Sequence, residues 1–112
     1  MSELKPVEFC GDSREVLMRF PAPVRRKAGH QLELVQLNIE SEDWKPMTTI
    51  GSGVREIRIR DDSGIYRMMY VAKFRNAIYV LHCFQKKTQK TNSNDLETAT
   101  RRYKELLREQ TR

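Results

Sequence analysis

The chain has 112 residues, 38% of them hydrophobic and 32% charged, with a formal net charge of +6. This is enough for one domain spanning 1–112 around one apolar core, and too little for two. Two cysteines exclude a disulfide framework, no apolar run approaches the ~20 residues that cross a bilayer, and MSELKPVEF lacks a signal-peptide core, so a reduced cytoplasmic protein that avoids the membrane is expected.

The first element is KPVEFCG, a β-prone stretch read as an edge strand. Asp12 followed by Glu15 has capping-box spacing and opens a short helix through about Arg19. Pro21 and Pro23 interrupt it and suit the first turn of a second helix, whose Val24, Ala28, Leu32, Val35 and Ile39 recur on one face. Residues 40–53, ESEDWKPMTTIGSG, hold turn formers and are expected as one long loop pinned to the core by Trp44.

Three strands follow. VREIRIR (54–60) places Ile57 and Ile59 on one face and Glu56, Arg58 and Arg60 on the other. After a DDSG hairpin turn, IYRMMYVAKF (65–74) places Tyr66, Met68, Tyr70, Ala72 and Phe74 toward the core and Arg67, Met69, Val71 and Lys73 away from it. A turn at 75–77 leads to IYVLHCF (78–84), apolar on both faces as a central strand requires. Asn94 with Glu97 opens a last helix striped by Leu96, Ala99, Tyr103, Leu106 and Leu107. The order predicts an α+β fold: N-terminal strand, two helices, a three-stranded antiparallel meander and a C-terminal helix. The helices are expected on one face of a curved sheet, with the other face partly open.

The positive charge is local. Residues 54–90 hold 9 basic and 3 acidic groups, whereas 1–53 hold 7 and 8 and 91–112 hold 5 and 4. A basic sheet of this kind attracts a polyanion. Its open face would carry Arg58, Arg60, Arg67 and Lys73, and LHCFQKKTQKT (81–91) would continue it through Lys86, Lys87 and Lys90. Arg55, and Arg101 and Arg102 of the last helix, are further expected contacts of that polyanion, whereas His30 reads as surface and the run Arg25, Arg26 and Lys27 as a solvated face, with phosphate contact as its competing reading.

No Gly-rich phosphate loop, paired-histidine metal motif or nucleophile elbow is present, so no metal or other cofactor is expected. An arginine and lysine cluster suits phosphodiesters and the negative charge that develops on them. RNA carries its own nucleophile, the 2′-hydroxyl, so a protein need supply only a base, an acid for the leaving 5′ oxygen and cations for the phosphorane. Lysines crowded by cations have lowered pKa values, which fits Lys86, Lys87 or Lys90 as the base, and Arg67 suits charge stabilisation as an open-face residue with few core contacts. His82 has two readings, a general acid or base and a hydrogen-bonded structural histidine.

WKPMTTIGSGVREIRI, YRMMYVA and above all LHCFQKKTQKT, followed by a helix with ETATRRYKELL, resemble the RelE/ParE superfamily of bacterial toxins, in its HigB-like, phage-associated branch. The resemblance implies the α+β fold above, cleavage of messenger RNA on the ribosome without metal, and inactivation by a co-encoded antitoxin, often of helix-turn-helix type. It assigns catalytic positions to Arg58, Arg67 and Lys87, with Lys86 beside the last. The tyrosine that RelE-type enzymes carry after the last strand has no counterpart in TQKTNSND (88–95), which leaves Lys90 to compensate. A ParE-like inhibitor of DNA gyrase and a non-catalytic nucleic-acid-binding protein are the competing expectations.

Overall fold

A computed structural model describes residues 4–86 and 92–111. Its elements run β1 (Val7–Phe9), α1 (Ser13–Met18), α2 (Ala22–Gln36), β2 (Trp44–Pro46), β3 (Val54–Asp61), β4 (Gly64–Val71), β5 (Ile78–Lys86) and α3 (Ser93–Gln110). The five strands form one mixed sheet in the order β1-β5-β4-β3-β2, with β1 parallel to β5 and the other pairs antiparallel. The α+β class and the meander follow the sequence reading. The short strand β2, inside the stretch expected as a loop, does not, because three residues are too few to show an alternation.

Local chemistry explains most boundaries. Pro21 and Pro23 bracket the start of α2, where a missing N–H leaves no helical hydrogen bond unmade. Asn92 caps α3 by accepting from the Asn94 N–H at 2.7 Å, so the cap lies two residues before the expected Asn94. At the β3–β4 hairpin the Asp61 carboxylate accepts from the Ser63 N–H and hydroxyl, and Gly64 adopts φ 140°, a region closed to most side chains. Asp12 precedes α1 without a side-chain capping bond, because its carboxylate is engaged by Arg102 instead.

The sheet is buried on both sides. Helices α1 and α2 cover one face, where Leu17, Phe20, Val24, Ala28 and Leu32 meet Ile57, Ile59, Met68, Tyr70, Ile78 and Val80. Helix α3 covers the opposite face through Ala99, Tyr103 and Leu106, against Val54, Met69, Val71, Tyr79 and Leu81. The expectation of all helices on one face is therefore corrected. The apolar character of both Met68 and Met69, and of both Tyr70 and Val71, is the physical reason, since a strand with two apolar faces needs two covers. Ile39, expected on the apolar face of α2, lies beyond the helix end and is exposed.

A β-bulge in β5 decides which way its C-terminal half points. Met69 pairs with His82 but the next residue, Tyr70, pairs with Val80, leaving Leu81 as the extra residue. Ile78 and Val80 face α1 and α2, and without the bulge His82, Phe84 and Lys86 would follow them. Instead Leu81 and Phe84 join the α3-side cluster, His82 meets Asp95 of α3, and Lys86 pairs with Ile65 on that side.

The core accounts for two expected measurements. Ile57 is fully buried between the helices and β4, and Ile57→Ala will lower unfolding stability by about 2–5 kcal/mol, read as a shift in urea midpoint at unchanged slope. Burial pushes the Cys83 thiol up to about 12, so a thiol reagent at neutral pH will label it only on unfolding.

Candidate nucleic-acid interface

Helix α3 covers only part of its face of the sheet. Toward the β3–β4 hairpin the same face carries three cross-strand rows fixed by register. The first runs Phe84, Arg67, Arg58; the second Lys86, Ile65, Arg60; the third His82, Met69, Glu56, Lys45. Three strands thereby bring Arg58, Arg60, Arg67 and Lys86, dispersed over nearly 30 positions of sequence, onto one face, and a fourth, β2, adds Lys45.

Arg67 is not the open-face residue the sequence suggested. Its exposure is only 3%, and its Nη1 donates to Oε1 of Glu56, itself 1% exposed, in a buried ion pair. Glu56 is the one acid within the rows, diagonal to Arg67, with Lys45 Nζ 3.9 Å away. Oε2 of Glu56 and Nε of Arg67 keep unused hydrogen-bonding capacity among the described residues. Lys86 sits at the edge of this group, and burial, followed by the charges of Arg67 and Lys45, lowers its pKa from the ordinary lysine value. Arg58 and Arg60 share one acid, Asp43, at 3.7 and 3.8 Å.

The other expected site residues divide. His82 shares the face with Lys86, but its Nε2 is 2.7 Å from the Asp95 carboxylate, Arg102 approaches its Nδ1, and its ring stacks on Phe84. This is the geometry of its structural reading. Arg102 is withdrawn from the surface: it donates to the Leu81 carbonyl and to Asp12, whose carboxyl it holds below the usual range. Arg55 points to the opposite face, its guanidinium 3.9 Å above the Trp44 ring and near Glu40. Lys73 bonds the Tyr103 hydroxyl under α3, apart from the rows. Arg101 is exposed with Lys104 and Arg108 on the outer side of α3. Lys87 and Lys90 lie outside the described residues.

Sequence reasoning passed over Lys45, Asp43 and the burial of Glu56. The signal for Lys45 was present, since anchoring Trp44 on one face of an extended segment turns its neighbour to the other. Among the described residues no group of three or more His, Cys, Asp or Glu side chains is placed to hold a metal ion, and no helix is long and apolar enough to cross a membrane.

This arrangement, a mixed five-stranded sheet with helices on both faces and a basic surface beside the last helix, is a RelE-like fold. A solved structure of the E. coli toxin RelE, an arginine-to-alanine double mutant in the free state, matches with a TM-score of 0.61 over 92% of this chain and 98% of that one, at 13% identity. In sequence, the family model described as Phage derived protein Gp49-like (DUF891) matches residues 15–104, and the chain belongs to that family. No curated protein matches it in sequence.

The buried ion pair sets a test. Arg67→Ala removes the hydrogen-bonded partner of buried Glu56, leaving it only the more distant Lys45, and will cost up to about 3–5 kcal/mol of stability in chemical denaturation, rather than leaving the fold untouched as an open-face residue would. Adding Glu56→Gln to Arg67→Ala will recover part of that loss, giving a coupling of about 0.5–3 kcal/mol in the double-mutant cycle.

Proposed function

We propose that this chain is the toxin of a type II toxin-antitoxin system, of the HigB-like branch, and that it cleaves messenger RNA on the ribosome in the cytoplasm. The reading rests on one observation above all: Arg58, Arg67 and Lys86 lie in adjacent rows on the α3 side of the sheet, toward the β3–β4 hairpin. Membership of a phage-derived family and the RelE-like fold support it. A co-encoded antitoxin, of helix-turn-helix type, is the expected inhibitor.

The chemistry needs no metal. With its pKa lowered, Lys86 is neutral in a larger fraction of molecules than an ordinary lysine, and its amine takes the proton of a 2′-hydroxyl. The O2′–P bond then forms as the P–O5′ bond breaks, giving a 2′,3′-cyclic phosphate and a 5′-hydroxyl that takes up a proton. Arg67, buried and fixed against Glu56, acts on the phosphorane only through the field of its charge and not by direct contact. Arg58 supplies a second cation from the neighbouring strand. Lys87 and Lys90 enter as further cations, or as the acid, through sequence alone. His82 is assigned to holding β5 against α3. Gyrase inhibition, the alternative, makes no use of an amine poised for proton transfer.

Primer extension on a defined message in a reconstituted translation reaction will show cuts that require ribosomes and disappear with Arg58→Ala and Lys86→Ala. Absence of cuts from the folded wild type would overturn the reading. Because a lowered lysine pKa releases its proton earlier as pH rises, the single-turnover cleavage rate will increase with pH and level off below the ordinary lysine pKa of 10.5. Lys86→Arg, which keeps the charge but cannot lose it, will abolish that rise.

A further inference from the structure

A cleft of about 510 Å³ opens at the outer edge of the sheet, between α2 and the end of β3. β2 pairs with β3 only from Arg55 to Ile57, so beyond Ile57 the edge of β3 has no neighbouring strand. Lys27 of α2 closes part of this gap by donating to the Arg60 carbonyl at 2.8 Å, which blocks an incoming strand from using that acceptor. The Asp43 carbonyl accepts from the Arg58 N–H at 2.8 Å, and the cleft that remains brings Arg26, Lys27 and His30 from α2 together with Arg58 and Arg60 from β3.

Two acids, Glu42 and Asp43, also line the cleft, and each is committed. Asp43 stands between Arg58 and Arg60, while Glu42 accepts from the Gln31 amide and lies 3.8 Å from His30. No acid of the described residues pairs with Arg26. The apolar lining is limited to Ile59 and the stems of the long side chains, so the cleft lacks the anchor pocket that a peptide interface is built around.

We propose that this cleft binds phosphate groups of the same RNA strand whose cleavage is proposed above, carrying the strand from the basic rows around the sheet edge to α2. The proposal rests on the RNA reading and extends it. Arg58 and Arg60 belong both to the rows and to the cleft, so the two surfaces are continuous. Residues two apart on a strand are about 6.6 Å apart, a stride that matches successive phosphates of an extended single strand. Asp43 holds both guanidiniums in place until phosphate oxygens replace it, and Arg26 and His30 take the phosphate that follows. Backbone contacts of this kind position a strand without reading its sequence.

The test uses a labelled 2′-O-methyl oligouridylate, which lacks the attacking hydroxyl, so that binding is measured apart from cleavage by fluorescence anisotropy across a salt series. Arg26 and His30 are exposed, and an unchanged melting temperature will confirm that the Arg26→Glu/His30→Ala double variant is folded. That variant is expected to bind about tenfold more weakly, with a salt slope shallower by about 0.7 for each phosphate it no longer neutralises. Asp43→Asn is expected to bind more tightly than the wild type. Wild-type affinity and slope in both variants would overturn the proposal while leaving the rows, tested by Lys86→Ala in the same assay, as the RNA site. Poly-glutamate binding that depends on Arg26 and His30 while RNA binding does not would give the cleft to an acidic protein partner, and also overturn it. Failure of the wild type to bind the RNA at all would instead remove the RNA reading on which the proposal stands.

Discussion

Strands β4 and β5 are apolar on both sides, and the rest of the molecule is arranged around hiding them. Met68, Tyr70, Ile78 and Val80 require one cover, which α1 and α2 provide. Met69, Val71, Tyr79 and Leu81 require another, which α3 provides. Two-sided burial of adjacent strands fixes the register between them, because a slip of one residue would exchange every side chain between the two layers. Close approach of α3 depends on Gly51, where a methyl group would fall within the Tyr103 ring, and on the Tyr103 hydroxyl donating to the Ser52 carbonyl at 2.8 Å.

The α3 side of the sheet also carries the basic rows. Four strands contribute to them, and strand pairing aligns like charges that would otherwise repel: Arg58 stands directly opposite Arg67. Glu56 offsets that cost from within the rows and Asp43 from the edge. A buried carboxylate bound to an arginine is weak evidence for stability. Its effect here is geometric, since a guanidinium held on one side has fewer orientations left for its remaining donors. The acids thus set where the cations point as well as how much charge they show, and the same logic applies at the edge, where Asp43 spans the two arginines shared between rows and cleft.

How much could be read in advance differed from residue to residue. Alternation in VREIRIR placed Arg58 and Arg60 on one face and Ile57 and Ile59 on the other, and the structure agrees, because alternation is a local property of extended backbone. The same argument put Arg67 on the correct face but left it exposed. It is buried against Glu56, two positions before Arg58 on the neighbouring strand, a contact that only register can create. Arg102 looked like one more surface cation of α3. It is instead bound to the Leu81 carbonyl and to Asp12, 90 residues away in the chain. Charge alone does not distinguish an arginine that binds ligand from one that holds two elements together.

The amino-acid sequence by itself determined the order and kind of the main elements, the two apolar faces of β5, and the concentration of positive charge between residues 54 and 90. These follow from periodicity, turn chemistry and composition, which act over a few residues. Tertiary structure alone decided that α3 lies opposite α1 and α2, that β2 joins the sheet, and that Glu56 and Arg67 neutralise one another. It also decided the direction of Lys86. The bulge at Leu81 reverses the alternation of β5 and turns His82, Phe84 and Lys86 toward the α3 side, and a bulge arises from the pairing of two strands. No pattern within either strand specifies it.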